Sequence, residues 1–321
     1  MSGVSDGAGD AGTHGPAAQR RQAPRRPQRP RELQDALNHY LYHPLAWQLA
    51  RLLARTPLTP NMVSVIGALC VIGAAGAYAL PGWPGPALLG MALHMTWHVV
   101  DGADGDLARM TGRSSPIGEM VDGLCDYASH VVLYLVLGWL LAHGMNPPAW
   151  PTAHPALWMW AAGLSHIVQS NHVEVQRRQY QWWVYGTTWL RNSREQNAAT
   201  RRGVSGWLVG LYLGLATGLT PYARAIDEAV AASASDVGGD PARREAIRAA
   251  VRAEAPPLLA LCKVLGPNPR AIVLGLAMLA GSPLWYFLYQ SLVLNALLVV
   301  SVIAHNRAAK RIGARISGRI G

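Results

Sequence analysis

The stretch DGADGDLAR, Asp101 to Arg109, places three carboxylates and a guanidinium at the end of an apolar run. Asp101 and Asp104 are three residues apart and share a helical face, and Arg109 falls near the same face. Gly102 and Gly105 let another backbone, or a flat ligand group, approach closely. A second apolar run carries Gly118, Asp122, Asp126 and His130 at intervals of four, again a single face. The short loop MTGRSSP lets these two runs pair as antiparallel helices with their acids facing each other. Crowded carboxylates in an apolar volume repel and lose hydration, so they must protonate or bind cations. Oxygen-only ligands favour Mg²⁺ or Mn²⁺ over zinc, and Mg²⁺ commonly completes its shell with water and substrate phosphates. The acids therefore anticipate a phosphate-bearing substrate. Asp106 points away from the shared face, and we expect it at a solvated helix end, paired with Arg109 or Arg113.

The elements that must position these residues read as membrane spans. Of 321 residues only 14 % are charged and 50 % are hydrophobic, a balance that suits a membrane protein better than a soluble enzyme. The net charge of +10 lies largely in the two terminal tails. No aromatic and basic interleaving, zinc-finger spacing or helix-turn-helix pattern accompanies it, so nucleic acid is not an expected partner. Cys70, Cys125 and Cys262 lack paired ligand spacing and read as buried thiols.

Residues 1–30 have no apolar core and read as a disordered basic leader rather than a signal peptide. Residues 31–60 form a cytoplasmic or interfacial helical segment. In it HPLAWQLARLLART starts on Pro44 and spreads Leu45, Leu49, Leu52 and Leu53 over one apolar face. Residues 61–305 are expected to form a six-span catalytic membrane domain: Asn61 to Leu80, about Ala87 into the acidic motif, Ile117 to Leu141, Leu157 onward, and two short crossings within Ala271 to Ala304. The last two turn near Gly281, Ser282 and Pro283. Residues 178–268 read as a cytoplasmic, partly in-plane helical section in which Pro256 and Pro257 break a helix. Residues 306–321 read as a basic cytoplasmic tail. With an inside start, Arg109, Arg113, Arg177, Arg178, Lys263, Arg270 and the tail all fall on the cytoplasmic side. The fold class is thus an all-α integral membrane protein, a six-transmembrane-helix bundle with an N-terminal interfacial amphipathic helix.

At this level the two acid stripes become specific. The order Asp101-x-x-Asp104-Gly105-x-x-Ala108-Arg109, eight residues, Gly118-x-x-x-Asp122-x-x-x-Asp126 resembles the complete signature of the CDP-alcohol phosphotransferase (CDP-alcohol phosphatidyltransferase) family. The TPNMVS start of the first span and the six-span plan extend the likeness over most of residues 44–305, with residues 178–268 departing from it. The resemblance implies transfer from a CDP-linked alcohol to a hydroxyl acceptor with release of CMP. It implies Asp101, Asp104, Asp122 and Asp126 as ligands of a dinuclear Mg²⁺ or Mn²⁺ site, and Asp126 as general base beside Asp122. Gly105 and Ala108 would flank the cytidine, and Arg109 would contact the diphosphate. A homodimer also follows from the likeness, and the expected location is a bacterial inner membrane with the site near the cytoplasmic face.

Acceptor contacts are sought around His130 and on the fourth span, where Ser165, Gln169 and His172 form a stripe followed by Glu174, Arg177 and Tyr180. Trp182, Trp183 and Tyr185 read as lipid-interface residues, His94 as bundle packing and Trp97 as interface or packing. The favoured donor is CDP-diacylglycerol. Transfer of a CDP-linked headgroup to diacylglycerol or a sphingolipid uses the same groups. A prenyltransferase would also join acids, Mg²⁺ and a diphosphate, though with different motif spacing. An ion-coupled transporter fits poorly with acids bunched at one end and no inverted halves.

Overall fold

The computed structural model describes residues 29–148, 151–188, 214, 218–233 and 240–318, apart from the side chains of residues 116 and 117. The basic leader through residue 28, and most of the GVSGWLVGLYLGLATGLTP stretch, lie outside the described residues. Among those described, every regular element is helical. A single 3₁₀ turn and a π turn lead into α1 (His43–Leu53), followed by α2 (Pro60–Tyr78), α3 (Gly85–Thr111), α4 (Pro116–Ala142) and α5 (Pro155–Tyr185). After them come α6 (Ala223–Ser233), α7 (Pro241–Val264), α8 (Pro267–Leu279), α9 (Leu284–Leu288) and, through a π turn, α10 (Leu294–Ser317).

Local chemistry sets the boundaries around the acids. Thr59 caps α2 by accepting from Met62 N at 3.3 Å, with Pro60 at the first helical position. Gly112, in the left-handed region at φ 67°, ends α3. Ser115 then starts α4 by accepting from Gly118 N at 3.0 Å ahead of Pro116. Only Gly112 to Ser115 separate the two acid-bearing helices, which holds them as a tight antiparallel hairpin.

Four stretches are long and apolar enough to cross a membrane: Pro60–Tyr78, Gly118–Ala142, Pro241–Leu279 and Leu284–Ser317. They include the expected first, third, fifth and sixth spans. The remaining two of the expected six, in α3 and α5, are long but diluted by His, Asp, Asn and Gln side chains, most of them turned into the protein. The turn near Gly281 is present, with α8 ending at Leu279 and α9 starting at Leu284.

Two large apolar cores result, beside smaller ones. One, among the apolar stretches, joins Val71, Ala74 and Tyr78 to Leu133, Leu137 and Leu141, and these to Leu274, Met278 and Phe287. The other gathers Val175, Trp182 and Trp183 of α5 with Ile226 and Val230 of α6, Ile247 and Val251 of α7, and Ala309 and Ile312 of α10. Trp182 and Trp183 are therefore not lipid-interface residues: both are buried, and Trp183 Nε1 donates to Asp227 Oδ1 at 2.7 Å. Local sequence suggests an interface there because the protein cover comes from helices far along the chain. Tyr185 stays exposed and donates to Glu32.

Three further expectations change. Pro256 and Pro257 do not break a helix; α7 runs through them to Val264. They lie on its exposed side, so the missing donors fall outside the buried seam of Val251, Ala255, Leu259 and Cys262. Residues 178–185 belong to α5 rather than to an in-plane section. From residue 306 onward α10 continues as helix to Ser317, and Arg311 and Arg315 clamp Glu254 of α7 at 2.6 and 3.0 Å.

Helix α1 packs its small residues inward: Ala46 and Ala50 are fully buried with Leu49 and Leu53 beside them, against Val100, Ala103 and Leu107 of α3. Leu45 and Leu52, expected on the same face, are exposed. Gly102 makes this approach possible, since a Cβ there would sit 3.0 Å from Ala46 Cβ. Gly102→Val is expected to overpack the contact and destabilise the fold by about 1–3 kcal/mol. Thermal unfolding in detergent checks this, and adding Ala46→Gly should recover part of the loss.

Candidate functional site

Helices α3 and α4 bring the acid stripes face to face. Asp101, Asp122 and Asp126 each offer a carboxylate oxygen within 4.8 Å of the others, all three side chains half-buried. Asp101 also lies in hydrogen-bonding range of Asp126, and Asp104 of Asp122. The acids thus form two rungs of one ladder, with Asp104 and Asp122 nearer the α3–α4 loop and Asp101 and Asp126 deeper.

Neighbouring groups aim the carboxylates. Ser64 of α2 donates to Asp104 Oδ2 at 2.6 Å. Trp97, four residues before Asp101, donates Nε1–H to Asp126 Oδ1 at 3.0 Å. Neither residue stands out in sequence as a site residue. For Trp97 the signal was its helical spacing from Asp101, one turn back on the same face. For Ser64 it was only proximity to TPNMVS. His130 lies one turn beyond Asp126, with its Nδ1 2.8 Å from the Asp126 carbonyl oxygen.

This donor set suits Mg²⁺ or Mn²⁺. The ligands are all carboxylate oxygens, three already converge within a few ångströms, and no lysine or arginine pairs with Asp101, Asp122 or Asp126 among the described residues. The free lone pairs at one side of the ladder leave positions for water or phosphate oxygen.

The remaining sequence candidates separate. Arg109 pairs with Asp106, as the spacing allowed, and its guanidinium lies against Gly105. Asp106 is not solvated, however: its side chain is 3 % exposed and also takes a bond from Arg29 at 3.1 Å. The N-terminal segment covers it, which no local pattern around residue 106 reveals. Ala108 is half-buried on the following turn.

Gln169 and His172 are fully buried and bonded to other helices. Gln169 Nε2 donates to Gln290 O at 3.0 Å and to Asn295 Oδ1 at 2.7 Å, while His172 Nε2 lies 2.9 Å from Ser301 Oγ. Arg177 pairs with Glu174 at 3.8 Å, and Tyr180 donates to Glu32 at 3.4 Å. Of the proposed acceptor contacts, only His130 directly adjoins the acid ladder in this way. His94, expected to pack in the bundle, is buried, with its ring centroid 5.7 Å from those of both Trp97 and His130. All three cysteines are free; Cys262 is buried, Cys70 and Cys125 half-buried.

Comparison with known proteins gives this geometry a context. Residues 57–193, which contain α2 to α5 and all four acids, match the family model described as CDP-alcohol phosphatidyltransferase. A protein of Dictyostelium discoideum described as uncharacterized CDP-alcohol phosphatidyltransferase class-I family protein 2 is 31 % identical over 119 residues. That match covers 34 % of this chain and 28 % of the relative, so the chain spans little more than a quarter of that protein's length.

The hydrogen bond from Trp97 gives the first test of the site. Trp97→Phe keeps the ring and removes the donor, and it is expected to weaken Mn²⁺ binding by about tenfold, at the lower end for the loss of a group that orients a ligand. Titration followed by electron paramagnetic resonance of the free ion measures it. Unchanged affinity would mean that the indole does not position Asp126.

Proposed function

We propose that this chain, whose residues 57–193 match the CDP-alcohol phosphatidyltransferase family model, is an integral-membrane enzyme that moves a phosphatidyl group from CDP-diacylglycerol to a hydroxyl acceptor and releases CMP. The observation that carries this reading is the convergence of Asp101, Asp122 and Asp126 inside the matched segment. Six crossings are part of the proposal, with α3 and α5 as the two polar spans. The concentration of Arg and Lys near the inner ends of the spans favours a site at the cytoplasmic face.

The four aspartates would hold a pair of divalent ions, Mg²⁺ or Mn²⁺, which when bound withdraw charge from the donor diphosphate and stabilise departing CMP. Everything else falls to side chains. Gly105 and Ala108 leave a shallow strip of α3 for the cytosine ring, and Arg109, half-exposed, can swing from Asp106 toward the diphosphate. Asp126 receives the proton of the acceptor hydroxyl. The hydroxyl oxygen forms its bond to the β-phosphorus as the bond from that phosphorus to the bridging oxygen breaks, and CMP leaves with the bridging oxygen, in line with the attack. Trp97 keeps one oxygen of Asp126 engaged and so fixes the direction in which the other accepts. No covalent enzyme intermediate is required.

The test is a screen of CDP donors and alcohol acceptors with the detergent-purified chain, reading CMP and lipid product together. Acceptor-dependent phospholipid from CDP-diacylglycerol is expected. CMP formed without a lipid product would make the chain a hydrolase. Product formed only from CDP-linked headgroups and diacylglycerol would reverse the direction of transfer.

Two expected outcomes accompany it. Removal of divalent ions with EDTA abolishes transfer, and added Mg²⁺ or Mn²⁺ restores it. Asp126→Asn lowers kcat by about 10² to 10⁴, the range for loss of a positioned general base, while the variant still inserts and folds, as judged by size-exclusion profile and thermal unfolding.

A further inference from the structure

Asp106 is the acid of the DGADGDLAR stretch that stands apart from the ladder. Its carboxylate, 3 % exposed, takes two guanidiniums on a single oxygen: Arg29 Nη2 meets Oδ1 at 3.1 Å, and Arg109 Nη2 meets the same atom. Two cations on one anion leave the cluster with positive charge in excess, and Arg177 adds to the positive field at Arg29.

The two guanidiniums differ in what holds them. Arg109 is 49 % exposed and rests over Gly105, where a Cβ would lie 3.5 Å from its Nη1. Gly105 adjoins Asp104 of the ladder, so a side-chain rotation is all that separates Arg109 from the metal site. Arg29 is built in. Gln34 Nε2 donates to the Arg29 carbonyl oxygen at 2.7 Å, and Gln34 Oε1 lies 2.9 Å from His43 Nδ1 at the start of α1. Leu33 packs in the core shared by α5 and α7, Tyr180 of α5 donates to Glu32, and Asn268 Nδ2 of α8 donates to Asp35 Oδ2 at 2.8 Å. The segment thus carries Arg29 to α3 as a fixed part of the bundle.

Stripping a buried carboxylate of its only cation leaves an uncompensated charge, which is among the costlier changes an ion pair can undergo. Were Arg109 the sole partner of Asp106, every ligand that drew it away would bear that cost. With Arg29 in place Asp106 stays paired, and repulsion between two guanidiniums on one oxygen favours departure of the mobile one.

We propose that Arg29 is a positioning residue for the donor: it keeps Asp106 neutralised when Arg109 turns to the donor diphosphate, so the N-terminal segment sets the affinity for a CDP-linked substrate. Arg29 acts through Asp106 and Arg109 without touching the substrate itself. This role rests on the transferase reading above, which brings Arg109 to the diphosphate.

Charge is tested apart from the strap. CDP is titrated calorimetrically into the detergent-purified full chain in Mg²⁺. Arg29→Gln, which still offers Asp106 a hydrogen bond but no charge, should weaken CDP at least about tenfold, the scale of one charge-assisted contact. Arg29→Lys, which keeps the charge, should weaken it less. Adding Asp106→Asn to Arg29→Gln removes the anion that holds Arg109 and should return most of the lost affinity, whereas a merely structural strap would be loosened further. In the transfer assay the rise in KM for CDP-diacylglycerol should exceed the fall in kcat. Unchanged CDP affinity in Arg29→Gln, equal losses in the Gln and Lys variants, or no recovery in the double variant overturns the proposal. Should Arg29→Gln alone fail to fold, loss of CDP binding in the double variant overturns it. An unaltered chain that neither binds CDP nor cleaves CDP-diacylglycerol would sink the transferase reading, while an active chain indifferent to Arg29→Gln would sink only the role of Arg29.

Discussion

Like charge held in a poorly hydrated seam is the constraint on which this structure turns. Asp101, Asp104, Asp122 and Asp126 come from two helices, face one another and, among the described residues, have no arginine or lysine between them. Nothing in apolar packing would select that arrangement, because each carboxylate loses hydration and gains a repelling neighbour. The surrounding helices must therefore hold the acids together against their own field. The tight loop, the caps at Thr59 and Ser115, and the small-residue contact of α1 on α3 all serve that end.

The bonds to the acids come from different directions, which makes the site a property of the bundle rather than of a motif. Ser64 reaches Asp104 from α2, and Trp97 reaches Asp126 across from α3. Past the acids the seam changes sign, from carboxylates through imidazoles to the guanidinium of Arg270.

Much of this was legible from spacing. Helical periodicity put the four aspartates on two faces, and loop length put the faces together; both relations are local and survive in the structure. The order of helices and the turn at Gly281 were legible for the same reason. What escaped were features set by distant chain segments. The N-terminal segment buries Asp106, and α6 and α7 bury Trp182 and Trp183, in each case from far along the sequence. Pro256 and Pro257 misled because a proline is harmful mainly where its missing donor is needed, and here it faces outward. Arg270 looked like membrane-end charge, since nothing in PNPRAIV says which way the fourth residue of α8 points.

The four residues from Gly112 to Ser115 have a consequence beyond joining α3 to α4. In so short a connection, rise and rotation of α4 relative to α3 are bound together, for each residue added to or taken from a helix end turns the rest by about 100°. The hairpin therefore acts as a ruler whose marks are carboxylates. Evolution of this chain is free to lengthen its other helices or turns, but length at this corner is tied to the relative placement of the four carboxylates.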